Sequence, residues 1–164
     1  MPDPGSHECL SCPAGRKTTE TGRRECSACE KGHTRSNTSL NHACLKCSPG
    51  KIAQKGEDEC TECPAGRYQV EKGQSSCVAC IRGKWSDEKG LASNKCKGCP
   101  EGKYSKITAS GSATNCNDCP AGTFNAVTGA SSDSDCIKCR IGLYMPDPGS
   151  HVCLSCPAGR NTTE

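Results

Sequence analysis

Aromatic residues are almost absent from this sequence: one Trp, one Phe and three Tyr stand among 164 residues. Only 32% of the residues are hydrophobic, even when cysteine is counted. A globular domain of this length normally buries a large apolar core, and this composition is too poor in apolar side chains to form one. Another source of stability must therefore offset roughly 1–2 kcal/mol of backbone entropy for each ordered residue.

Long apolar runs and an excess of one charge are missing as well. No stretch approaches the roughly 20 apolar residues of a membrane-crossing helix, so we expect no membrane segment in this window, and the start of the chain lacks the apolar core of a signal peptide. The net charge of +3 is mixed along the chain, without the basic run that suits nucleic acid. No segment has a 3.6-residue apolar stripe, so we expect almost no helix.

Cysteine, by contrast, is abundant: 18 residues, a content typical of disulfide scaffolds. All of them fall in nine CxxC pairs that recur every 16 to 20 residues. This internal repetition predicts a chain of small units. From each pair to the next, the units overlap and span 9–29, 26–47, 44–63, 60–80, 77–99, 96–119, 116–139 and 136–156.

A second, longer repeat contains the short one. Residues 145–164 match residues 1–20 at all but two positions, Glu8 against Val152 and Lys17 against Asn161. We therefore interpret 1–144 as one long repeat and 145–164 as the start of the next, in a window cut from a longer periodic polypeptide. Since Met145 occupies the place of Met1 in mid-chain, Met1 need not be an initiator methionine.

Glycines recur with the same spacing as the cysteine pairs. One glycine stands three residues after the second Cys of every pair, and another precedes most pairs. Where the second glycine is missing, Asn41 stands there, the next most tolerant residue for positive φ, which indicates a hairpin turn. Alternating pieces such as RYQV suggest short strands, so we predict a small disulfide-rich fold of tandem β-hairpin units. The expected turn glycines are Gly5, Gly22, Gly56, Gly73, Gly90, Gly111, Gly129 and Gly149.

Three roles are open to the cysteines: zinc ligands, redox pairs and structural disulfides. Pairs of CxxC can form four-Cys zinc sites, but an array of closed sites should alternate two spacer lengths. The gaps here are 13, 14, 12, 13, 15, 16, 16 and 13 residues, without alternation. A thioredoxin-type redox pair needs a strand–helix scaffold and usually a single motif. Structural disulfides fit best.

The even gaps favour a serial connectivity, in which the second Cys of one pair bonds the first Cys of the next. The alternative joins neighbouring pairs crosswise, first with first and second with second, and sequence does not exclude it. The serial scheme leaves Cys9 and Cys156 to bond with neighbouring repeats. Its eight links are Cys12–Cys26, Cys29–Cys44, Cys47–Cys60, Cys63–Cys77, Cys80–Cys96, Cys99–Cys116, Cys119–Cys136 and Cys139–Cys153.

Segments such as CPAGRYQVEKGQSSCVAC and CPEGKYSKITASGSATNCNDCPAGTF resemble the cysteine-rich repeats of growth-factor and tumour-necrosis-factor receptors, especially the ephrin-receptor-like type. Such modules serve receptors, matrix proteins and protist surface proteins, so the resemblance indicates the fold rather than the function. It implies that an aromatic two residues after the first glycine packs on a neighbouring disulfide. The residues concerned are Tyr68, Trp85, Tyr104, Phe124 and Tyr144, while Lys17, Thr34, Ile52 and Asn161 depart from the pattern.

We expect each unit to contact only its neighbours, so that the array is quasi-one-dimensional and forms an elongated rod. Asn37 and Asn161 lie in N-glycosylation sequons, and the many hydroxyl residues make O-glycosylation plausible. The four histidines and the acidic stretches 57–59 and 133–135 lack converging partners, so we predict no metal site. We find no catalytic set and no cofactor motif, and predict that the protein is not an enzyme.

Two functions fit these observations. The first is a structural extracellular filament or surface-fibre glycoprotein, self-associating and carrying covalent glycans. The second is a cell-surface receptor or adhesin ectodomain that uses the cysteine-rich rod as a spacer and binds a protein ligand. The closeness of the long copies beside the divergence of the short units favours the filament.

Overall fold

The computed structural model describes residues 11–18, 20, 22, 25–37 and 43–160. Within them the chain forms eight disulfides, each joining the second Cys of one CxxC pair to the first Cys of the next. We call the segment closed by each disulfide a loop and number the loops 1 to 8 along the chain. They are Cys12–Cys26, Cys29–Cys44, Cys47–Cys60, Cys63–Cys77, Cys80–Cys96, Cys99–Cys116, Cys119–Cys136 and Cys139–Cys153.

The strands are two residues long and pair as eight separate antiparallel hairpins, as the sequence predicts. The first strand of a hairpin follows the first glycine of a loop, and the second is the pair of residues inside the next CxxC. In loop 7, for example, Thr123 pairs with Lys138 and Phe124 with Ile137. The strands are β1 Arg16–Lys17, β2 Ser27–Ala28, β3 His33–Thr34, β4 Leu45–Lys46, β5 Lys51–Ile52, β6 Thr61–Glu62, β7 Arg67–Tyr68, β8 Val78–Ala79, β9 Lys84–Trp85, β10 Lys97–Gly98, β11 Lys103–Tyr104, β12 Asn117–Asp118, β13 Thr123–Phe124, β14 Ile137–Lys138, β15 Leu143–Tyr144 and β16 Leu154–Ser155.

A tight turn precedes the first strand of each hairpin, and its geometry explains why the first glycine of each loop is needed there. In loop 4 the N–H of Arg67 donates to the carbonyl oxygen of Pro64 at 3.1 Å, and Gly66 between them has a φ of +79°. Positive φ at the third position of a β-turn marks the type II geometry, which glycine adopts without a steric penalty. The same bond and the same φ sign recur at all nine first glycines.

A second turn lies between the first strand and the next CxxC pair, and wherever the structure describes it, it also contains a residue with positive φ. The sequence prediction of that residue is wrong at one position. In loop 6 the left-handed residue is Ala109, with φ +56°, and not Gly111. Loop 6 carries extra residues after this turn, where the short 3₁₀ helix Ala113–Asn115 forms; loop 7 has its equivalent at Asp133–Asp135. Loop 7 has the same length and keeps a glycine, Gly129, at this turn, so nothing in the structure explains why loop 6 has Ala109 there. Asn41 and Gly5 lie outside the described residues.

Disulfide-bonded cysteines occupy the interior of the loops in place of an apolar core. The second Cys of a pair is buried in seven of the nine pairs, with exposures of 9% or less, whereas Cys139 and Cys156 are less buried. The other buried apolar side chains in the described residues are small or few. They are Ala53, Leu91, Ala130 and Met145, together with Cys116.

The chain divides into two compact units whose segments alternate along the sequence. The first contains 1–63, 68–78 and 90–93, and the second contains 64–67, 79–89 and 94–164. Both compact units consist of disulfide-closed loops of the kind described above. In the part of the chain that the structure describes, no helix has the length and hydropathy of a membrane-spanning segment.

Candidate functional site: the joint between loops

Consecutive loops are joined by backbone hydrogen bonds that repeat from loop to loop. In the second unit, the N–H of Gly102 in loop 6 donates to the carbonyl oxygen of Asn125 in loop 7 at 2.7 Å. The turn glycine of loop 7, Gly129, donates back to the carbonyl oxygen of Cys99 at 2.7 Å. A third bond runs from the N–H of Ser105 to the carbonyl oxygen of Ala130 at 3.0 Å.

The first unit uses the same joint between loops 3 and 4. Gly50 donates to the carbonyl oxygen of Gln69 at 2.7 Å, and the turn glycine Gly73 donates to that of Cys47 at 2.8 Å. The N–H of Ala53 donates to the carbonyl oxygen of Gln74 at 3.3 Å. Because these bonds use only backbone atoms, the joint tolerates the divergence of side chains between loops.

The residue three positions after each first glycine lies at the centre of the joint. Its carbonyl oxygen accepts the bond from the preceding loop and, in loops 3 to 7, its N–H donates to the following loop. Seven residues at this position are therefore buried, with exposures of 8% or less, although five of them are polar. They are Arg35, Ala53, Gln69, Ser86, Ser105, Asn125 and Met145.

Polar side chains are tolerated here because their oxygens accept a local N–H. Asn125 accepts the N–H of Val127 at 3.0 Å, and its amide nitrogen donates to the carbonyl oxygen of the same residue at 3.0 Å. Ser86 accepts the N–H of Glu88 at 3.2 Å. Ser and Asn side chains commonly stabilise a bend in this way. Our sequence analysis missed these residues, although a Gln, Ser or Asn at one fixed place after the glycine was a readable signal.

Arg35 fills the same position in loop 2 and makes a different set of contacts. Its Nη1 donates to the carbonyl oxygens of Cys12 at 2.9 Å, Pro13 at 3.2 Å and Arg16 at 2.8 Å. Only 4% of the residue is exposed. The guanidinium therefore ties loop 2 to the first turn of loop 1 through three carbonyl groups.

The first glycines also meet the turn of the loop two places further on, so the expectation of contacts between neighbours alone is wrong. A Cβ built on Gly66 would collide with the carbonyl oxygen of Ala109, and one on Gly83 with that of Gly129. The same collision occurs at Gly15, Gly32, Gly50 and Gly102. Glycine is thus required here by the close approach of backbone, in addition to its positive φ.

The five aromatic residues occupy the second position of a first strand. Tyr68, Trp85, Tyr104 and Phe124 are half-buried, and Tyr144 is 36% exposed. The first three form parallel bridges with residues of the following loop: Tyr68 with Leu91, Trp85 with Ser110 and Tyr104 with Ala130.

Thr34, which stands at the aromatic position of loop 2, indicates what this position faces. Its Oγ1 lies 3.4 Å from Sγ of Cys60, a member of the disulfide that closes loop 3. This contact supports the proposal that the aromatics pack on a neighbouring disulfide, which itself stays a prediction.

Ion pairs lie on the exposed surface of the loops. Lys106 Nζ lies 2.8 Å from Asp133 Oδ2, and this hydrogen bond, helped by one from Ser132, holds the pKa of Asp133 below its ordinary value and raises the pKa of Lys106. Lys97 donates to Asp87 at 3.0 Å and lowers the pKa of that carboxyl. The Lys97 ammonium also lies 4.9 Å from the Trp85 ring centroid, a cation–π distance.

The remaining predicted sites are placed as follows. Asn37 is exposed, whereas Asn161 and Cys9 lie outside the described residues. Cys156 forms no disulfide with any described residue, and its bond to a neighbouring repeat stays a prediction. Among the residues that the structure describes, no three His, Cys, Asp or Glu side chains converge as a metal site.

Comparison with protein families identifies these repeats. The family described as tyrosine-protein kinase ephrin type A/B receptor-like matches residues 50–91, 89–136 and 133–164. The three matches are tandem and overlapping, and together they cover 50–164. A search of curated proteins found no match to the chain.

Proposed function

The chain belongs to the tyrosine-protein kinase ephrin type A/B receptor-like family of cysteine-rich repeats, and from that premise we propose that it is a structural extracellular filament or surface-fibre protein. Repeats of this family are ligand-binding or structural modules, and the proposal assigns this chain no catalysis. Its role is mechanical: covalent links in every loop, and a polar surface that resists proteolysis.

The observation that carries the proposal is the near-identity of the long copies. Residues 1–20 and 145–164 agree at 18 of 20 positions, whereas successive loops share little beyond cysteine, glycine and the aromatic position. The backbone joint does not require this identity, because it accepts side chains as different as Arg35 and Ala53. A fibre explains it, since identical copies present the same lateral contacts at a regular interval.

Exposed apolar side chains in the hairpins of loops 7 and 8 support lateral association. Ile137 and Leu154 are 58% and 46% exposed, and each lies opposite an aromatic, Phe124 and Tyr144 respectively. Ile141 is 97% exposed. Exposed apolar residues can mark contact surfaces, and in a tandem chain these residues would recur once in each long copy.

The disulfides favour an extracellular or cell-surface location, because such bonds persist in oxidising compartments. A glycoprotein is part of the proposal: Asn37 is exposed and available for glycosylation, and Asn161 carries the second sequon. Mass spectrometry of the native protein before and after enzymatic removal of N-glycans tests both sites.

Electron microscopy of the native material tests the filament directly. We expect long fibres whose axial period equals one 144-residue copy. Replacing Ile137 and Ile141 with Lys should disperse the fibres while leaving the eight disulfides in place, and replacing the exposed Asn117 and Lys138 with Ala should not. Dispersed single chains from the unaltered protein would contradict the proposal.

A receptor or adhesin ectodomain is the second candidate, and membership of a receptor-like family favours it. Trp85 is its best anchor: the indole is half-buried, and the Lys97 ammonium lies 4.9 Å from the centroid of its ring. Trp side chains are enriched among the residues that dominate binding. Saturable capture of one protein ligand, lost in Trp85→Ala with the disulfides intact, would favour this function over the filament.

A further inference from the structure

The boundary between the two long copies falls inside a loop. Tyr144 ends the first copy and Met145 begins the second, and both lie in loop 8, which Cys139 and Cys153 close. The first half of this loop therefore comes from one copy and the second half from the next.

The second-copy residues make the same joint as residues within a copy. Met145 accepts the N–H of Gly122 at 2.8 Å, and the turn glycine Gly149 donates to the carbonyl oxygen of Cys119 at 2.8 Å. Asn125 donates to the carbonyl oxygen of Ser150 at 3.1 Å. These three bonds correspond one for one to those that join loops 6 and 7. The pattern of backbone hydrogen bonds between loops therefore continues across the copy boundary.

The first glycines of loops 1 to 6 are covered by the turn of the loop two places on. For Gly122 and Gly142 that turn would come after the described residues, and a Cβ built on either glycine meets nothing within 4 Å. By the same spacing, the turn that would cover Gly122 belongs to the loop that starts at Cys156. That loop opens as a copy of loop 1 (CPAGR in both), whose turn residue is Gly22, with φ +72°.

We propose that the joint between loops continues across the boundary between tandem copies, and that loop 1 of a following copy docks on loops 7 and 8 with its turn over Gly122. The occupant is thus another copy of this repeat in the same chain. The filament proposal concerns association between chains, whereas this inference concerns the joint within one chain, so the two can fail separately.

Hydrogen exchange on a two-copy chain tests the inference with an internal control. The chain consists of residues 1–164 followed by residues 21–164, with Cys9 and the last copy of Cys156 replaced by Ser. Loop 1 of the first copy has no loop before it, whereas loop 1 of the second copy follows loop 8. Lys17 and Asn161 give the two peptides different masses, so the two loops are read separately in one sample.

We expect the turn amide of the second-copy loop 1 to exchange at least about tenfold more slowly than the amide of Gly22, because it donates to the carbonyl oxygen of Cys139 as the other turn amides donate in their joints. Equal exchange at the two positions would overturn the inference, since it would mean that the copies are separate bodies.

Substitution of Gly122 supplies a second, independent measurement. In the 164-residue chain, Gly122→Ala should refold oxidatively with a higher yield than Gly83→Ala, whose Cβ collides with Gly129. In the two-copy chain the first-copy Gly122→Ala should fall to the yield of Gly83→Ala. A first-copy Gly122→Ala that keeps its higher yield in the two-copy chain would contradict docking over Gly122.

Discussion

The N–H of Gly66 donates to the carbonyl oxygen of Ser86, 2.7 Å away in the next loop. The Cα of the same glycine lies so close to the carbonyl group of Ala109, two loops on, that a Cβ would collide with it. One residue thus ties three successive loops with backbone atoms alone. This explains how the fold persists while most side chains change from loop to loop.

Gly66→Ala should lower the free energy of unfolding more than Gly122→Ala. Both glycines have a φ of +79°, so both substitutions introduce left-handed strain of roughly 1–2 kcal/mol. Only at Gly66 does the new Cβ also collide with backbone, and we expect a total loss of about 3 kcal/mol or more there.

Denaturant unfolding with the disulfides intact measures both values. Since φ is the same at the two positions, the difference isolates the contact with Ala109. Equal losses for the two variants would show that strain alone explains the glycines, and that the approach of the third loop contributes nothing.

Ala109→Gly should stabilise the protein, although most substitutions destabilise. Ala109 is the one residue other than glycine with positive φ in the described part of the chain. Relief of its strain, about 1–2 kcal/mol, exceeds the added entropy of a glycine in the unfolded chain, about 0.4–1 kcal/mol. We expect a net gain of about 0.5–1 kcal/mol. Ala92→Gly, at an exposed residue without positive φ, is the control and should destabilise slightly; a loss at Ala109 would contradict the prediction.

The error at Ala109 shows what sequence could and could not reveal. Counted forward from the first glycine, the turn residue is seven positions on in loops 6, 7 and 8 (102 to 109, 122 to 129, 142 to 149). The sequence prediction rests on a glycine shortly before the next CxxC, which in loop 6 is Gly111. The count from the first glycine points to Ala109 instead.

Covalent and local features were the predictable part. Even spacing favours the serial links over the crosswise alternative, and the glycine turns indicate the hairpins. The buried position of Ser86 or Asn125, and the approach of a third loop to Gly66, depend on how hairpins stack on one another. The sequence of a single loop has no hydrophobic periodicity from which the packing between loops could be predicted. Only the structure shows that packing.

Asn125→Ala should cost about 1–3 kcal/mol, because it removes the hydrogen bonds that the buried Asn125 side chain makes with the N–H and the carbonyl oxygen of Val127. The matched control is Asn117→Ala, at an exposed strand residue, which should change stability by less than about 0.5 kcal/mol. Thermal or denaturant unfolding of oxidised protein compares the two. A neutral Asn125→Ala would mean that the capping bond is not needed at the centre of the joint.

The ion pair between Lys106 and Asp133 makes a prediction about acid. The pKa of Asp133 is held below its ordinary value, about 3.9 for Asp, so its contribution to stability is complete above that pH and is lost as pH falls through the lowered folded value. Lys106→Met should raise the titration midpoint of the Asp133 carboxyl in an NMR titration. The midpoint of Asp87, whose partner is Lys97, should not move. An unchanged Asp133 midpoint would contradict the assigned cause.

The central claim is that serial disulfides, and not an apolar core, hold this chain together. Each loop of about 15 residues is worth roughly 3 kcal/mol in the chain-entropy account. Proteolysis of the native, unreduced protein followed by mass spectrometry tests the claim most directly. We predict cross-linked peptides that join Cys63 to Cys77 and Cys80 to Cys96, and the equivalent links in the other six loops. Crosswise links between neighbouring CxxC pairs, or free thiols along most of the chain, would contradict the account.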